Sequence, residues 1–153
     1  MSNISNNNSE IIEKLKTKDI TTPTLSLDGY FTIAKVVSVY DGDTCRVVIP
    51  HKDDFYKWNV RLDGYDTPEM RPSRSKPNRD KEIEAAKEAK KFLISKVMST
   101  PEQLVFIKCK KFDKYGRLLA DIYLNMNDTI SVNDLMVQNG HGYLYNGGTK
   151  KEF

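Results

Sequence analysis

Three short acidic clusters hold the residues best suited to chemistry: Asp41-Gly42-Asp43-Thr44, Asp63-Gly64-Tyr65-Asp66-Thr67-Pro68-Glu69 and Asp113-Lys114-Tyr115-Gly116-Arg117. Singly, each has a plain structural explanation. Asp-Gly between two strands is a strong hairpin signal, Pro68 restricts the backbone of Thr67 as at a loop exit, and Lys-Tyr-Gly-Arg is an ordinary turn. Together they describe a reaction. Hard divalent cations take several oxygen ligands, which carboxylates from two separate loops can supply with a backbone carbonyl. Asp43 opens the second candidate strand and Asp66 ends the third, which places both at one rim of a barrel. Glu69 falls near the same rim, where its carboxylate is suited to accept a proton from a water attacking phosphorus. Arg61 shares the polar face of the third strand and Arg117 opens the fifth; each guanidinium offers a planar fork of donors that matches a phosphate. A metal, a base and two cations are the parts of phosphodiester hydrolysis.

The elements that must position these groups show in the hydrophobic periodicity. From Tyr30 the period is two: FTIAKVVSVY reads as a strand, TCRVVI puts Cys45, Val47 and Ile49 on one face, and WNVRLDGY does the same for Trp58, Val60 and Leu62. Residues 80–98 switch to helical spacing, with Ile83, Ala86, Ala89 or Lys90, Leu93 and Val97 in one stripe, Asp80 as N-cap, and Ser99-Thr100-Pro101 as the stop. LVFIKC reads as a buried strand, and RLLADIYL alternates with Leu118, Ala120, Ile122 and Leu124 inward. Residues 128–139 form a short second helix stopped by Gly140. The expected class is therefore α+β: a five-stranded barrel of the OB type, with one helix between strands three and four and a short helix near the C-terminus. Residues 1–29 read as an N-terminal extension, Asn- and Ser-rich and disordered over 1–10 with one or two helical turns over 11–19, and residues 30–153 as the folded domain.

Composition narrows the function classes. The 153 residues, 39% hydrophobic and 29% charged, suit one soluble domain, and a net charge of +3 is too mild to name a partner. The distribution is more informative. Residues 70–91 carry eight Lys and Arg against four Asp and Glu, and residues 108–117 five against one, local fields that attract polyanions. Residues 70–79, with Arg71, Arg74 and Arg79, read as a mobile loop near the site. Cys45 and Cys109 sit in apolar stretches and read as reduced core thiols. With no signal-peptide pattern at the start, this points to an intracellular, cytoplasmic protein. No apolar run reaches membrane-spanning length, and a monomer is expected. His51 and His141 stand without ligand partners nearby in sequence.

The motifs DGDT at 41–44, RLDGYDTPE at 61–69, DKYGR at 113–117 and LADIY at 119–123, in this order and spacing, make residues 30–145 resemble the staphylococcal (micrococcal) nuclease family. The resemblance implies a calcium-dependent endonuclease that cuts DNA and RNA with little sequence preference and leaves 3′-phosphate ends. It assigns calcium to Asp43, Asp66 and the carbonyl of Thr67, with Asp41 behind them. Glu69 becomes the general base, Arg61 and Arg117 hold the scissile phosphate, and Tyr115 stands against the nucleotide's phosphate end. Tyr143 and Tyr145 are spaced like the family's base-stacking tyrosines; packing at the barrel edge is the other reading of both. Stacking and phosphate contacts favour single-stranded or frayed substrate. The chain runs only to Phe153, so the family's third helix is not expected in it. The alternative is a catalytically inactive domain of the same fold that binds nucleic acid or protein without cutting, as in larger RNA-associated scaffolds. The presence of all the matched acids and arginines favours the enzyme.

Overall fold

The structure, a computed structural model, describes residues 4–148. Five strands close a barrel in the order β1-β2-β3-β6-β5: β1 (Phe31–Val39), β2 (Thr44–His51), β3 (Asp54–Leu62), β5 (Leu104–Phe112) and β6 (Leu118–Tyr123). Neighbours run antiparallel except β3 and β6, which pair parallel and seal the barrel with Val60 opposite Leu118 and Arg61 opposite Leu119. Helix α2 (Arg79–Val97) lies between the third and fourth barrel strands and α3 (Val132–Gln138) follows the fifth. This is the expected α+β OB-type architecture.

Alternation places the core as the sequence requires. Cys45, Val47 and Ile49 of β2, Val60 and Leu62 of β3, and Leu118, Ala120 and Ile122 of β6 are completely buried, and Trp58 and Leu124 are half-buried against them. Cys45 and Cys109 are free and buried. Burial, with a contribution from Asp41, pushes the Cys45 thiol up to about 12, which leaves it unreactive. No helix among the described residues is long and apolar enough to cross a membrane.

Several local expectations are corrected. Residues 4–15 form a helix, α1 (Ile4–Leu15), where disorder was expected through residue 10 and helix from 11 to 19; residues 1–3 of that segment lie outside the described ones. The tertiary fold takes hold at Leu27, which is buried, while Gly29 and Tyr30 exchange backbone hydrogen bonds with Cys109 at 2.9 and 2.8 Å. The third strand begins at Asp54 rather than Trp58, because its first residues are exposed on both faces and carry no alternation. Helix α2 starts one residue before Asp80; Asn78, left-handed at φ 59°, takes the N-cap position without a side-chain cap bond. Its buried stripe contains Glu82 in place of Ile83. Helix α3 starts at Val132, not Asp128, because Ser131 and Asp134 form a reciprocal capping box. A two-residue bridge also escapes periodicity: β4 (Tyr65–Asp66) pairs with β7 (Tyr143–Leu144) beside the barrel mouth.

Candidate functional site

The turn between β1 and β2 carries the first acids. Tyr40 N–H donates to the Thr44 carbonyl at 2.9 Å, and the Asp43 amide donates to Asp41 Oδ1 at 3.1 Å, so both carboxylates stand on one tightly closed loop. The Asp43 carbonyl accepts from the Leu62 amide at 2.8 Å, which ties the loop to the end of β3. Gly42 is needed here for space rather than for a left-handed φ. A Cβ on it would meet Ala89 Cβ at 2.8 Å and Thr67 Cγ2 at 3.0 Å, so the loop lies directly against α2 and the Thr67 side chain. The buried Tyr65 reinforces this contact by donating its hydroxyl to the Gly42 carbonyl at 2.8 Å.

The second acid loop leaves β3 through β4. Asp66 is 3% exposed and Thr67 is 6% exposed, with Pro68 buried beside them and Glu69 exposed at the cleft. Tyr143, opposite Asp66 in the β4–β7 bridge, donates its hydroxyl to Asp66 Oδ2 at 3.1 Å. Arg61 lies directly against these acids. Its Nη2 is 3.3 Å from Asp43 Oδ2 and 3.4 Å from Asp66 Oδ1, and it donates to the Tyr65 carbonyl at 3.0 Å, while Nη1 donates to the Leu62 carbonyl at 2.9 Å. Two buried carboxylates need positive charge nearby, and Arg61, paired across the β2–β3 ladder with Thr44, is the cation that β3 brings to them.

The third cluster fixes the other guanidinium. Asp113 Oδ1 accepts from the amides of Tyr115 and Arg117, both at 2.9 Å, and Oδ2 accepts from Arg117 Nε at 2.7 Å. Burial acts to raise the Asp113 pKa, but the hydrogen bonds and charge of Arg117, with the Tyr115 amide, outweigh it and hold the carboxyl below its usual range. The Arg117 guanidinium carbon is 5.4 Å from the centroid of the exposed Tyr115 ring.

These loops enclose one cleft of about 650 Å³. Of the sequence-selected residues, Asp41, Asp43, Arg61, Asp66, Thr67, Glu69, Tyr115, Arg117 and Tyr145 line it; Tyr143 does not, and instead serves as the hydrogen-bond partner of Asp66. Tyr145 has its ring 6.0 Å from the Arg61 guanidinium carbon and 6.4 Å from the Tyr143 ring. Sequence reasoning gave no roles to Tyr65 and Asp113. An Asp two and four residues ahead of amides in a turn is a usable local signal for the second; none exists for the first. Within residues 70–79, Lys76 N–H donates to the Ser73 carbonyl at 3.0 Å and Arg79 Nε to the Pro72 carbonyl at 3.3 Å.

Donor chemistry shows what the acidic end of the cleft can hold. Burial, then the charge of Asp41, raises the Asp43 carboxyl from 3.8 to about 6 in spite of Arg61, so this corner is short of positive charge. The donors gathered here are oxygens, those of Asp43, Asp66 and the Thr67 carbonyl, a set of the kind a hard divalent cation takes. Among the described residues no group of three or more His, Cys, Asp or Glu side chains is placed to hold a metal alone. A cation here would complete its coordination with backbone, water and substrate oxygens. The cleft is also lined by Arg117, Lys114, Tyr115 and Tyr145, which offer phosphate donors and stacking faces.

Comparison with known proteins agrees with this geometry. The profile of the family described as staphylococcal nuclease homologue matches residues 59–152. An uncharacterised protein of Bacillus anthracis is 34% identical over 119 residues, covering 77% of this chain and 50% of the relative. An uncharacterised protein of Methanocaldococcus jannaschii is 33% identical over 134 residues, covering 78% of this chain and 63% of the relative. The chain thus spans between half and two thirds of the length of these relatives. On the match of the family profile to most of the chain, with the barrel and cleft in place, this protein belongs to the staphylococcal nuclease homologue family.

Proposed function

We propose that the protein is a calcium-dependent nuclease that hydrolyses DNA and RNA, single-stranded or frayed, with little sequence specificity, and leaves 3′-phosphate ends. One observation carries the reading: Asp43, Asp66 and Glu69 line the same cleft as Arg61 and Arg117. Calcium would be held by Asp43, Asp66 and the Thr67 carbonyl, with Asp41 supporting Asp43, and when bound it polarises a phosphate oxygen and acidifies water. The protein's own groups do the rest. Glu69, at the exposed edge of the cleft, takes the proton of the attacking water as its oxygen bonds to phosphorus and the bond to the 5′ oxygen breaks. Arg117, whose amide and Nε both donate to the Asp113 carboxylate, is preorganised to meet charge growing on the phosphoryl oxygens. Arg61 supplies a second cation from the floor of the cleft. Tyr115 stands against the phosphate end of the nucleotide, and Tyr145 offers a ring face to a base, a sequence-tolerant contact.

The test is a cleavage assay on single- and double-stranded DNA and on RNA, with calcium, magnesium and chelator compared. Calcium should support cutting, most readily on single strands, and chelator should abolish it. Glu69→Gln should bind calcium normally and turn over at least about 10² more slowly. Full activity in excess chelator removes the metal, a normal rate for Glu69→Gln removes the base, and tight nucleic-acid binding without any cutting identifies the non-catalytic alternative.

A further inference from the structure

Glu82 is a buried carboxylate that does not line the cleft. It sits in the first turn of α2, 4% exposed, in a stripe otherwise made of Ala86, Ala89, Leu93 and Val97. A carboxylate in such a place costs several kcal/mol unless its charge is paired and its oxygens are hydrogen-bonded. The loop that leads from the cleft to the helix pairs the charge and hydrogen-bonds Oε1, whereas Oε2 has no hydrogen-bond partner among the described residues. Lys76 Nζ lies 2.8 Å from Oε2 and 3.0 Å from Oε1. The backbone N–H of Glu69 donates to Oε1 at 3.5 Å. The loop is thereby pegged at two points to one buried side chain, and one of those points is the residue that takes the proton in the nuclease reading.

The side chain of Glu69 is exposed at the cleft edge, so apolar packing does not fix its direction. Pro68, immediately before it, is buried and anchors one side of the residue. The Glu82 carboxylate anchors the other through the main chain, by a long hydrogen bond of 3.5 Å to a charged acceptor. We propose that Glu82 is a positioning residue, resting on the nuclease reading for its catalytic meaning, which fixes the backbone of Glu69 and thereby aims the Glu69 carboxylate. A general base must stand within hydrogen-bond reach of its water, and a displacement of about 1 Å costs about 10² in rate.

Two measurements on the full chain test this, with Glu82→Ala and Glu82→Gln. The first is amide hydrogen exchange at Glu69 read by NMR. Glu82→Ala should speed exchange at Glu69 at least about tenfold while amides of β1, β2 and β3 stay protected. Glu82→Gln, which keeps an acceptor oxygen without the charge, should lie between, and it carries the same test if the alanine variant does not fold. Exchange at Glu69 unchanged in a folded variant overturns the proposal. The second is calcium-supported cleavage of single-stranded DNA. Glu82→Ala should lower kcat by about 10–100-fold with KM within about threefold. Added to Glu69→Gln it should lower kcat no further, since a peg acts only through what it holds. A multiplied loss in the double variant overturns the proposal. An inactive wild type counts against the nuclease reading alone, and exchange at Glu69 then decides whether the tether exists.

Discussion

Replacing Gly42 by alanine tests whether the acid loop, helix α2 and the Thr67 carbonyl form one packed unit. The added Cβ would stand 2.8 Å from Ala89 Cβ and 3.0 Å from Thr67 Cγ2, whereas carbon atoms in contact settle at about 3.5–4.0 Å. The loop must therefore move away from the helix by roughly 1 Å, or push Thr67 outward. Overpacking of this size costs about 1–3 kcal/mol, which for 153 residues lowers Tm by roughly 2–12 °C. Because Asp43 and Thr67 flank the contact, cleavage should fall by about 10² even at a temperature where the variant is fully folded. Ala89→Gly removes the closer clash. Alone it costs about 1 kcal/mol as a helix-interior glycine, but beside Gly42→Ala it should recover at least about 1 kcal/mol and part of the rate. Thermal unfolding and single-strand cleavage of the two single variants and the double variant give the complete cycle. Strictly additive effects, or a Gly42→Ala protein as stable as wild type, would refute the idea that this glycine is there for close approach.

Arg117→Ala should lower kcat by about 10²–10⁴ while KM changes less than tenfold, because preorganised charge is worth most in the transition state; equal losses in binding and rate would reduce it to a phosphate holder. Asp113→Ala should give a smaller loss of the same kind by freeing the Arg117 side chain, and a kcat equal to wild type would show that Asp113 does not orient it. Asp43 gives a pH signature. Its folded-state pKa is raised from 3.8 to about 6, so its stabilising contribution is complete below pH 3.8 and is lost as pH rises through about 6. At 1.36 kcal/mol per pH unit, the deficit in the metal-free protein above pH 6 comes to about 3 kcal/mol. Asp43→Asn should therefore be up to about 3 kcal/mol more stable than wild type in urea with chelator at pH 7.5, and the gap should close near pH 4. A variant less stable at pH 7.5 contradicts the sign.

The sequence reading succeeded where a single physical constraint dominated. Alternation placed Cys45, Val47, Ile49, Leu118, Ala120 and Ile122 inside because a barrel strand with one buried face has no other register. That the acids and arginines would gather on one cleft was legible because their motifs fall at strand ends around one barrel rim. What stayed hidden depends on contacts between distant segments. Nothing near Tyr143 in sequence signals that its hydroxyl meets Asp66, and nothing near Gly42 signals that α2 packs on it. Asp80 is a good N-cap by residue type, yet the loop geometry before the helix gave that position to Asn78. The start of β3 was missed for a different reason: residues paired along the backbone but exposed on both faces carry no periodic signal.

The parallel β3–β6 ladder has a consequence for how the proposed activity would be acquired. Arg61 stands in that ladder opposite Leu119, and Arg117 immediately precedes β6. The two guanidiniums therefore come together only when segments far apart in the chain join and the ring of strands shuts, the slowest kind of event in folding because long loops must close first. The β2–β3 hairpin can form earlier, but it leaves Arg117 apart from Arg61. During refolding, cleavage should return with the last kinetic phase, behind the recovery of secondary structure, and a nascent chain should be harmless to nucleic acid until residues beyond β6 have been made.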